Sequence, residues 1–329
     1  MNISSLKKKN CHIIGISGLE GWAMFEFFIS NKIKNIVGHD FSDTKDLKKN
    51  FRKNHPGLKE KEVQDTLKKI KIHQSKINFK ENYLKDIDKA DLIFLPQSWF
   101  LYKENKSLFN LNRKGIPFLG LINIYLNFSP AKIIGITGSQ GKTTTSRLTS
   151  YIFRKAGEKV YYGGNDRRAA QSLSKISEMR KNDFLILEVS HRQLMFDLKK
   201  SPQVGIVLNI ARNHLNEVKN FKEYQKLKGS LIKFQTPKDI AILNFDDIIV
   251  RNFLKETKAK VIPFTRKCDC KVIEKWENIC FLDKEGWITI KTNKKLIRII
   301  KKEELTLPGE HNLENILAAN ATFSDTLPS

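Results

Sequence analysis

Cysteine is scarce in this sequence: Cys11, Cys268, Cys270 and Cys280 are the four in 329 residues. Thiols placed like this build no disulfide framework, and Cys268-Asp-Cys270 lacks both the spacing of a zinc pair and a neighbouring histidine. Reduced thiols, as in a cytoplasmic protein, are the expectation. Long apolar runs are missing too. No window approaches the roughly 18 uninterrupted apolar residues of a membrane helix, so no membrane insertion is expected. Met1 to Asn10 is polar and lysine-rich, and the apolar run behind it is interrupted by Gly15, Gly18 and Glu20, which is unlike a secretory leader. Acidic side chains are outnumbered, 35 against 59 Lys and Arg, for a net charge of +24. Such an excess raises the question of nucleic acid. The basic residues are spread along the whole chain, however, with no helix-turn-helix signature and no aromatic–basic platform, so no nucleic-acid partner is expected. A general positive field favours small polyanions such as nucleotides. Internal repeats and low-complexity tails are absent as well.

What remains is an ordinary globular composition, 40% apolar and 10% aromatic, in a chain long enough for about two domains. Apolar runs alternate with helical patterns, which predicts an α/β protein with parallel sheets. Cys11 to Ile16 reads as a strand, Gly18-Leu19-Glu20-Gly21 as a turn, and Trp22 to Ile29 as the helix behind it. Lys34 to Gly38, Ala90 to Leu95 and Ile116 to Gly120 are further strands, and Lys45 to Phe79 is charged and helical or loop. Tyr125 to Pro130 has linker character. A second series then begins with the strand Lys132 to Thr137 and the helix Thr143 to Ala156. Phe184 to Val189, Val204 to Ile210 and Asp239 to Asn244 are buried-strand candidates, residues 260–307 suggest short strands and turns, and Asn312 to Phe323 resumes helix.

The chemistry concentrates at the junction of the first strand and helix of that second series. Ile133 to Thr145 reads Ile-Ile-Gly-Ile-Thr-Gly-Ser-Gln-Gly-Lys-Thr-Thr-Thr. Binding phosphate requires several backbone N–H groups converging on one point. Gly138 and Gly141 permit the backbone angles and close approach this needs, and the helix N-terminus adds N–H groups and partial positive charge. Lys142 is placed to reach the β- and γ-phosphates and the Thr143 hydroxyl to ligate Mg2+. Ile136 stands where the general Gly-x-x-x-x-Gly-Lys-Ser/Thr pattern has its first glycine, so the loop is the shorter Gly138-x-x-Gly141-Lys-Thr form. Glu188 closes the strand Phe184 to Glu188, where an acid assisting a magnesium nucleotide belongs.

These residues, with six further blocks in order, resemble the Mur ligases. Thr137 to Thr144 is similar to their ATP loop and Gly163-Gly164-Asn165 to their Gly-Gly-Asn. Glu188-Val-Ser-His-Arg-Gln193 and Asn209-Ile-Ala-Arg-Asn-His214-Leu-Asn resemble blocks of the D-glutamate-adding branch. Tyr224-Gln-Lys-Leu-Lys228 falls where the family carries a carbamylated lysine, Leu243 to Asp247 matches Asn-x-Asp-Asp, and Gly309 to Asn315 matches Gly-x-His-Asn-x-x-Asn. The resemblance covers about residues 8–323 and is strongest from residue 130 onward. It implies a Rossmann-like domain over 1–121 that binds a UDP-sugar, then a P-loop ATPase central domain with a small extra β-sheet over 122–329. The family's amino-acid-binding C-terminal domain is expected near residue 325, where this sequence ends.

The family's chemistry is ATP-dependent amide formation, in which a carboxylate is activated as an acyl phosphate and an amine displaces phosphate. The resemblance implies ATP and Mg2+ as cofactors and UDP-N-acetylmuramoyl-L-alanine and D-glutamate as substrates, in a cytoplasmic monomer of peptidoglycan precursor synthesis. It implies catalytic roles for Lys142, Glu188, His214 and Lys228. ATP would be held by Gly138, Ser139, Gln140, Gly141, Lys142, Thr143, Thr144, Asn312 and Asn315, and metal by Thr143, Glu188, His214 and carbamylated Lys228. Gly18, Leu19, Asp40, Asn165 and Gln193 would bind the acceptor substrate.

Three departures accompany the match. Asn213 and Asn216 flank His214 where the family has aspartates, and an amide does not raise the basicity of a metal site as a carboxylate does. His191-Arg192 replaces Ser-Phe, and Asp166-Arg167 follows the Gly-Gly-Asn block. They leave open another Mur-type or folylpolyglutamate-type acceptor, or a non-catalytic nucleotide-binding paralogue.

Overall fold

The computed structural model describes residues 2–166, 171–213, 215–293, 295–307 and 309–323. The chain forms two compact units: residues 1–130 with 162–180 and 195–197, and residues 131–161 with 181–194 and 198–329.

The first unit is built on a five-stranded parallel sheet. Its strands are β1 (Cys11–Ile14), β2 (Ile36–Asp40), β3 (Ile77–Phe79), β4 (Leu92–Phe94) and β5 (Phe118–Leu119), in the order β3-β2-β1-β4-β5. All four β1 residues are buried, as expected of a strand covered on both faces. From β1 the chain moves to β2 on one side and later to β4 on the other. The crevice at the carboxyl ends of β1 and β4 is therefore a topological switch point, where open α/β sheets bind ligands. The turn leading into the helix Leu19–Ser30 lies there. Gly21 has to be glycine: a Cβ on it would sit 2.0 Å from the Gly15 carbonyl oxygen.

One expectation is corrected in this unit. Tyr125 to Pro130 is not a linker, because Leu121–Phe128 is helix and Leu121, Ile122, Ile124, Tyr125 and Leu126 are all buried. The Asn, Ser and Pro at the end of the segment dominate its local composition, but the apolar stripe ahead of them has a core to pack on.

The other large sheet has nine strands. They are β6 (Lys132–Thr137), β7 (Val160–Gly164), β8 (Phe184–Glu188), β9 (Val204–Val207), β10 (Ile240–Asn244), β11 (Lys260–Thr265), β12 (Ile279–Leu282), β13 (Trp287–Thr292) and β14 (Lys295–Lys301). Their order is β14-β13-β12-β11-β10-β9-β6-β8-β7. The short strands expected over residues 260–307 continue this sheet: β11 and β12 join in parallel, then β13 and β14 turn back antiparallel. β6 lies between β8 and β9, in register Ile136 to Glu188 and Thr137 to Val207. A second switch point thus opens at its carboxyl end. Val207, Tyr224, Ile232, Leu243 and Phe253 pack as one buried cluster on the β9–β10 side. No described helix is long and apolar enough to cross a membrane.

Candidate active site

The expected ATP-site residues of the second unit converge at the carboxyl end of β6. The helix Lys142–Lys155 starts at Gly141, which caps it with φ +82°, and no side chain caps it. Any other residue at 141 would meet strain and a clash, since a Cβ there would lie 2.0 Å from Asn315 Oδ1. The loop is held from outside by Asn209, just past β9. Its backbone oxygen accepts the Ser139 N–H at 2.9 Å, its Oδ1 accepts the Gln140 N–H at 2.9 Å, and its Nδ2 donates to the Gln140 oxygen at 3.3 Å. These three bonds tie the loop to the segment that follows β9.

Two lysines enter the site. Lys142 Nζ donates to the Gly138 and Ser139 carbonyl oxygens at 2.9 and 3.0 Å. Lys228, only 1% exposed, donates to the same Gly138 oxygen at 3.0 Å and to Thr137 Oγ1 at 3.1 Å. Two ammonium groups on one carbonyl repel each other, and burial disfavours both. Burial holds the Lys142 amine below its usual 10.5, with Glu188 pulling it back up. Lys228 falls well below 10.5, through burial first and the neighbouring Lys142 charge second, with Glu188 again opposing. Of the two, Lys228 is therefore held the more strongly toward its neutral form. Its amine also stands 5.4 Å from the centre of the Tyr224 ring, four residues earlier on the helix Phe221–Gly229. The Tyr224 hydroxyl lies 3.2 Å from Ser139 Oγ, so helix and phosphate loop are tied together.

Glu188 ends β8 and is 2% exposed. Its Oε2 accepts the Thr143 hydroxyl at 2.7 Å. A hydroxyl and a carboxylate meeting at the mouth of a phosphate loop is the oxygen donor pair that Mg2+ takes in nucleotide sites. Beside them a cleft of about 260 Å3 is lined by Gln140, Gly141, Asn209, Asp247, His311, Glu314 and Asn315, among others. Of the two expected adenine-facing residues, Asn315 lines it and bonds Thr145 Oγ1 at 3.2 Å. Asn312 instead accepts from Asn315 Nδ2 at 3.3 Å. A glycine cradle, an uncapped helix N-terminus, a cation and an oxygen pair beside an open cleft fit a magnesium nucleotide.

The departure at His191-Arg192 has a physical counterpart that the motifs did not reveal. Glu217, with its side chain 7% exposed, accepts from Arg192 Nε at 2.7 Å and Nη2 at 2.6 Å, and meets His191 Nε2 at 2.9 Å. The Arg192 hydrogen bonds, followed by the His191 contact and both charges, draw the Glu217 carboxyl down to about 2 against the cost of burial. Gln193, 1% exposed, uses its Oε1 to accept the Ser190 N–H at 3.1 Å. His214 and Arg167 lie outside the described residues.

The expected acceptor-site residues Gly18, Leu19, Asp40 and Asn165 belong to the first unit, Gln193 to the second. Asp40 is 1% exposed and accepts the Ser17 N–H at 2.6 Å and the Ser42 N–H at 2.9 Å, bracing the glycine turn against the end of β2. Gly18 caps the helix that begins at Leu19. Sequence reasoning assigned no role to Asn209, Tyr224, Glu217, His311 or Glu314. The i, i+4 spacing of Tyr224 and Lys228 was the available signal for one of them.

Residues 136–323 match the Mur ligase middle domain. The chain is 33% identical over 318 residues to the UDP-N-acetylmuramoylalanine--D-glutamate ligase of Caldanaerobacter subterraneus subsp. tengcongensis, covering 96% of this chain and 63% of that protein. To the protein of the same name from Thermoanaerobacter sp. it is 31% identical over 316 residues, again 96% and 63%. It therefore spans less than two thirds of the length of these curated relatives. Among solved structures, the UDP-N-acetylmuramate:L-alanyl-gamma-D-glutamyl-meso-diaminopimelate ligase from Neisseria meningitides is similar in fold, with a TM-score of 0.55 at 14% identity, covering 96% of this chain and 93% of that one. With a phosphate loop at the switch point of its sheet and a domain match running from that loop to the last described helix, the chain belongs to the Mur ligase family.

Proposed function

We propose that this chain carries the ATP-binding and acceptor-binding parts of a cytoplasmic, monomeric ligase that joins D-glutamate to UDP-N-acetylmuramoyl-L-alanine in peptidoglycan precursor synthesis. The observation that carries the reading is the meeting of Lys142, the Thr143–Glu188 pair and buried Lys228 around the Gly138–Gly141 loop. The names of the curated relatives support the choice of amino acid.

ATP with Mg2+ supplies the phosphoryl group that activates the acceptor carboxylate and the charge that screens it. The chain's own residues bind and position. The loop N–H groups and Lys142 hold the phosphates, and catalysis of this kind rests mainly on positioning and electrostatic stabilisation. Thr143 and Glu188 would hold one metal ion. A Lys228 amine in its neutral form would be nucleophilic toward carbon dioxide, and its carbamate, together with His214, would hold a second ion. Asn315 would face the adenine, Gly18, Leu19, Asp40 and Asn165 of the first unit would contact the acceptor, and so would Gln193 of the second.

Calorimetry with Mg-ATP tests the nucleotide half. Lys142→Ala removes a charge-assisted contact of about 1.5–3 kcal/mol, so affinity should fall at least about tenfold. Equal affinity in both proteins would overturn the assignment. Titration with UDP-N-acetylmuramoyl-L-alanine tests the acceptor half, and absence of binding would remove it.

A further inference from the structure

Two histidines in the core of the first unit take no part in the sites described above. His12 is on β1 and His39 on β2, 1% and 0% exposed. Their rings stack, 5.0 Å apart between centres and 19° from parallel. His12 Nδ1 and His39 Nε2 share one hydrogen bond of 2.8 Å. The outer nitrogens, His12 Nε2 and His39 Nδ1, have no hydrogen-bond partner among the described residues.

A neutral imidazole carries one N–H and one lone pair. In the neutral pair one N–H bridges the rings, and one N–H and one lone pair face outward unmet. A first added proton leaves an N–H on both outer nitrogens, and a positive charge, where nothing accepts them. A second sets N–H against N–H across the bridge. The surroundings offer little compensation. The Tyr83 ring stands 6.3 Å from His39 at 76°, and its hydroxyl donates to Asn105. Asp40 and Glu104 act on the Tyr83 phenol, and the Asp40 oxygens accept the Ser17 and Ser42 N–H groups. Asp86 and Asp88 favour a charge on His12, but both are exposed, and Asp86 meets Lys89 at 2.6 Å. Burial therefore dominates. It holds the imidazoles below their usual 6.5, at about 4 for His12 and about 3 for His39, where a charge on His12 counts further against His39.

The pair lies where β1 and β2 hold the glycine turn. The His39 backbone oxygen accepts the Gly15 N–H at 2.7 Å and the Ile16 N–H at 3.4 Å, and His12 lies in the same β1–β2 register. We infer that the His12–His39 pair is a proton-operated latch: neutral, it keeps β1 and β2 closed beneath the glycine turn, and protonated, it opens the turn while the second unit keeps its fold. Imidazoles whose folded values lie below 6.5 give stability that is complete above pH 6.5 and lost as pH falls toward 4. Acid is therefore the opening signal. The latch needs no ligand and stands apart from the ligase reading.

The experiment is hydrogen–deuterium exchange on the full chain at pH 7.5 and 5.5, corrected for the intrinsic rate, which reads local opening segment by segment. A histidine that is charged only in the open state raises the opening constant about tenfold at pH 5.5. Protection over residues 11–18 and 36–41 should therefore fall at least about tenfold, while β6, β8 and β9 keep theirs. At pH 5.5 the Glu217 carboxyl, ordinarily 4.5 and lower when folded, still makes its contribution. Replacing both imidazoles, His12→Leu with His39→Leu, should remove the acid-induced loss. Where that double variant does not fold, His39→Gln, which can still bond His12 but takes up no proton, should make the loss smaller. His55 is the control, a third imidazole of the unit, 3% exposed and stacked on Phe51 at 3.7 Å, beside Asn54, whose Nδ2 donates to the Ser17 oxygen at 3.2 Å. His55→Leu should leave the loss in place. Undiminished protection of residues 11–18 in wild type at pH 5.5 would overturn the latch. So would a loss that persists unchanged in the double variant or in His39→Gln, a loss abolished by His55→Leu, or an equal loss across both units, which would be general acid destabilisation.

Discussion

Removing Glu217 should destabilise the unit that holds the phosphate loop by about 3 kcal/mol. Its carboxylate takes two Arg192 donors at 2.7 and 2.6 Å and meets His191 at 2.9 Å, with its own side chain 7% exposed and that of Arg192 23% exposed. Deleting one partner of a buried ion pair costs about 3–5 kcal/mol, and the partial exposure of Arg192 places this case at the lower end. The linkage argument starts from the proton instead. A carboxyl whose pKa is about 2 when folded and 4.5 ordinarily contributes about 3 kcal/mol once the pH is above both values. The sign follows from the direction of the shift. A lowered folded pKa gives stability that is present above pH 4.5 and lost as pH falls toward 2.

Glu217→Gln should therefore lower the unfolding midpoint at pH 7 by about 6–12 °C for a domain of this size. The transition to follow by scanning calorimetry is the one that Mg-ATP raises, since ligand binding stabilises only the unit that holds it. The gap between wild type and variant should narrow on acidification, with about a quarter of it gone by pH 4. A gap below about 1 °C at pH 7, or one of constant size down to pH 4, would refute the reasoning. In the first case the contacts contribute nothing net, and in the second they do not act through the ionised carboxylate.

Other outcomes follow from the same geometry. Gly141→Ala should abolish Mg-ATP binding in calorimetry and lower the unfolding midpoint, because φ +82° costs an L-residue about 1–2 kcal/mol before the Asn315 oxygen, 2.0 Å from the new Cβ, has to move. Carbon-13 NMR with labelled bicarbonate at neutral pH should show a carbamate signal that disappears in Lys228→Ala, and an unchanged spectrum would rule the modification out. In carbon-dioxide-free buffer the lowered Lys228 pKa means that the unfolded chain binds the extra proton below 10.5, so wild-type stability should rise with pH on the approach to that value. Lys228→Met should flatten the rise, as measured by denaturant unfolding across pH 7–10.

Sequence exposed what is local in this protein and hid what is paired at long range. β6 runs over Lys132–Thr137, as its apolar run bounded by glycine predicts, and the helix behind it starts at Lys142, one residue from the expected position. Both signals lie within a single stretch of chain, where propensity, glycine placement and hydrophobic period agree. β3 was hidden in the charged segment 45–79 because a three-residue edge strand leaves no period to read. The helix Leu121–Phe128 was read partly as linker because its polar residues are local and its core is not. The same division runs through the site. Gly138 to Thr143 could be placed from spacing alone, but separations of 69 residues from Gln140 to Asn209, 91 from Thr137 to Lys228 and 25 from Arg192 to Glu217 carry no spacing rule. Each of those pairings exists because β6 lies between β8 and β9, which brings the residues following three separate strands to one end of the sheet. His191 and Arg192 make the case most plainly. Read in sequence they are two bulky polar intrusions into a familiar block. In the fold both meet one buried carboxylate, that of Glu217 in another segment. A motif comparison that scores each block separately will count such a site as degenerate, and the thermal and pH behaviour of Glu217→Gln will show whether it is instead a different, internally balanced solution.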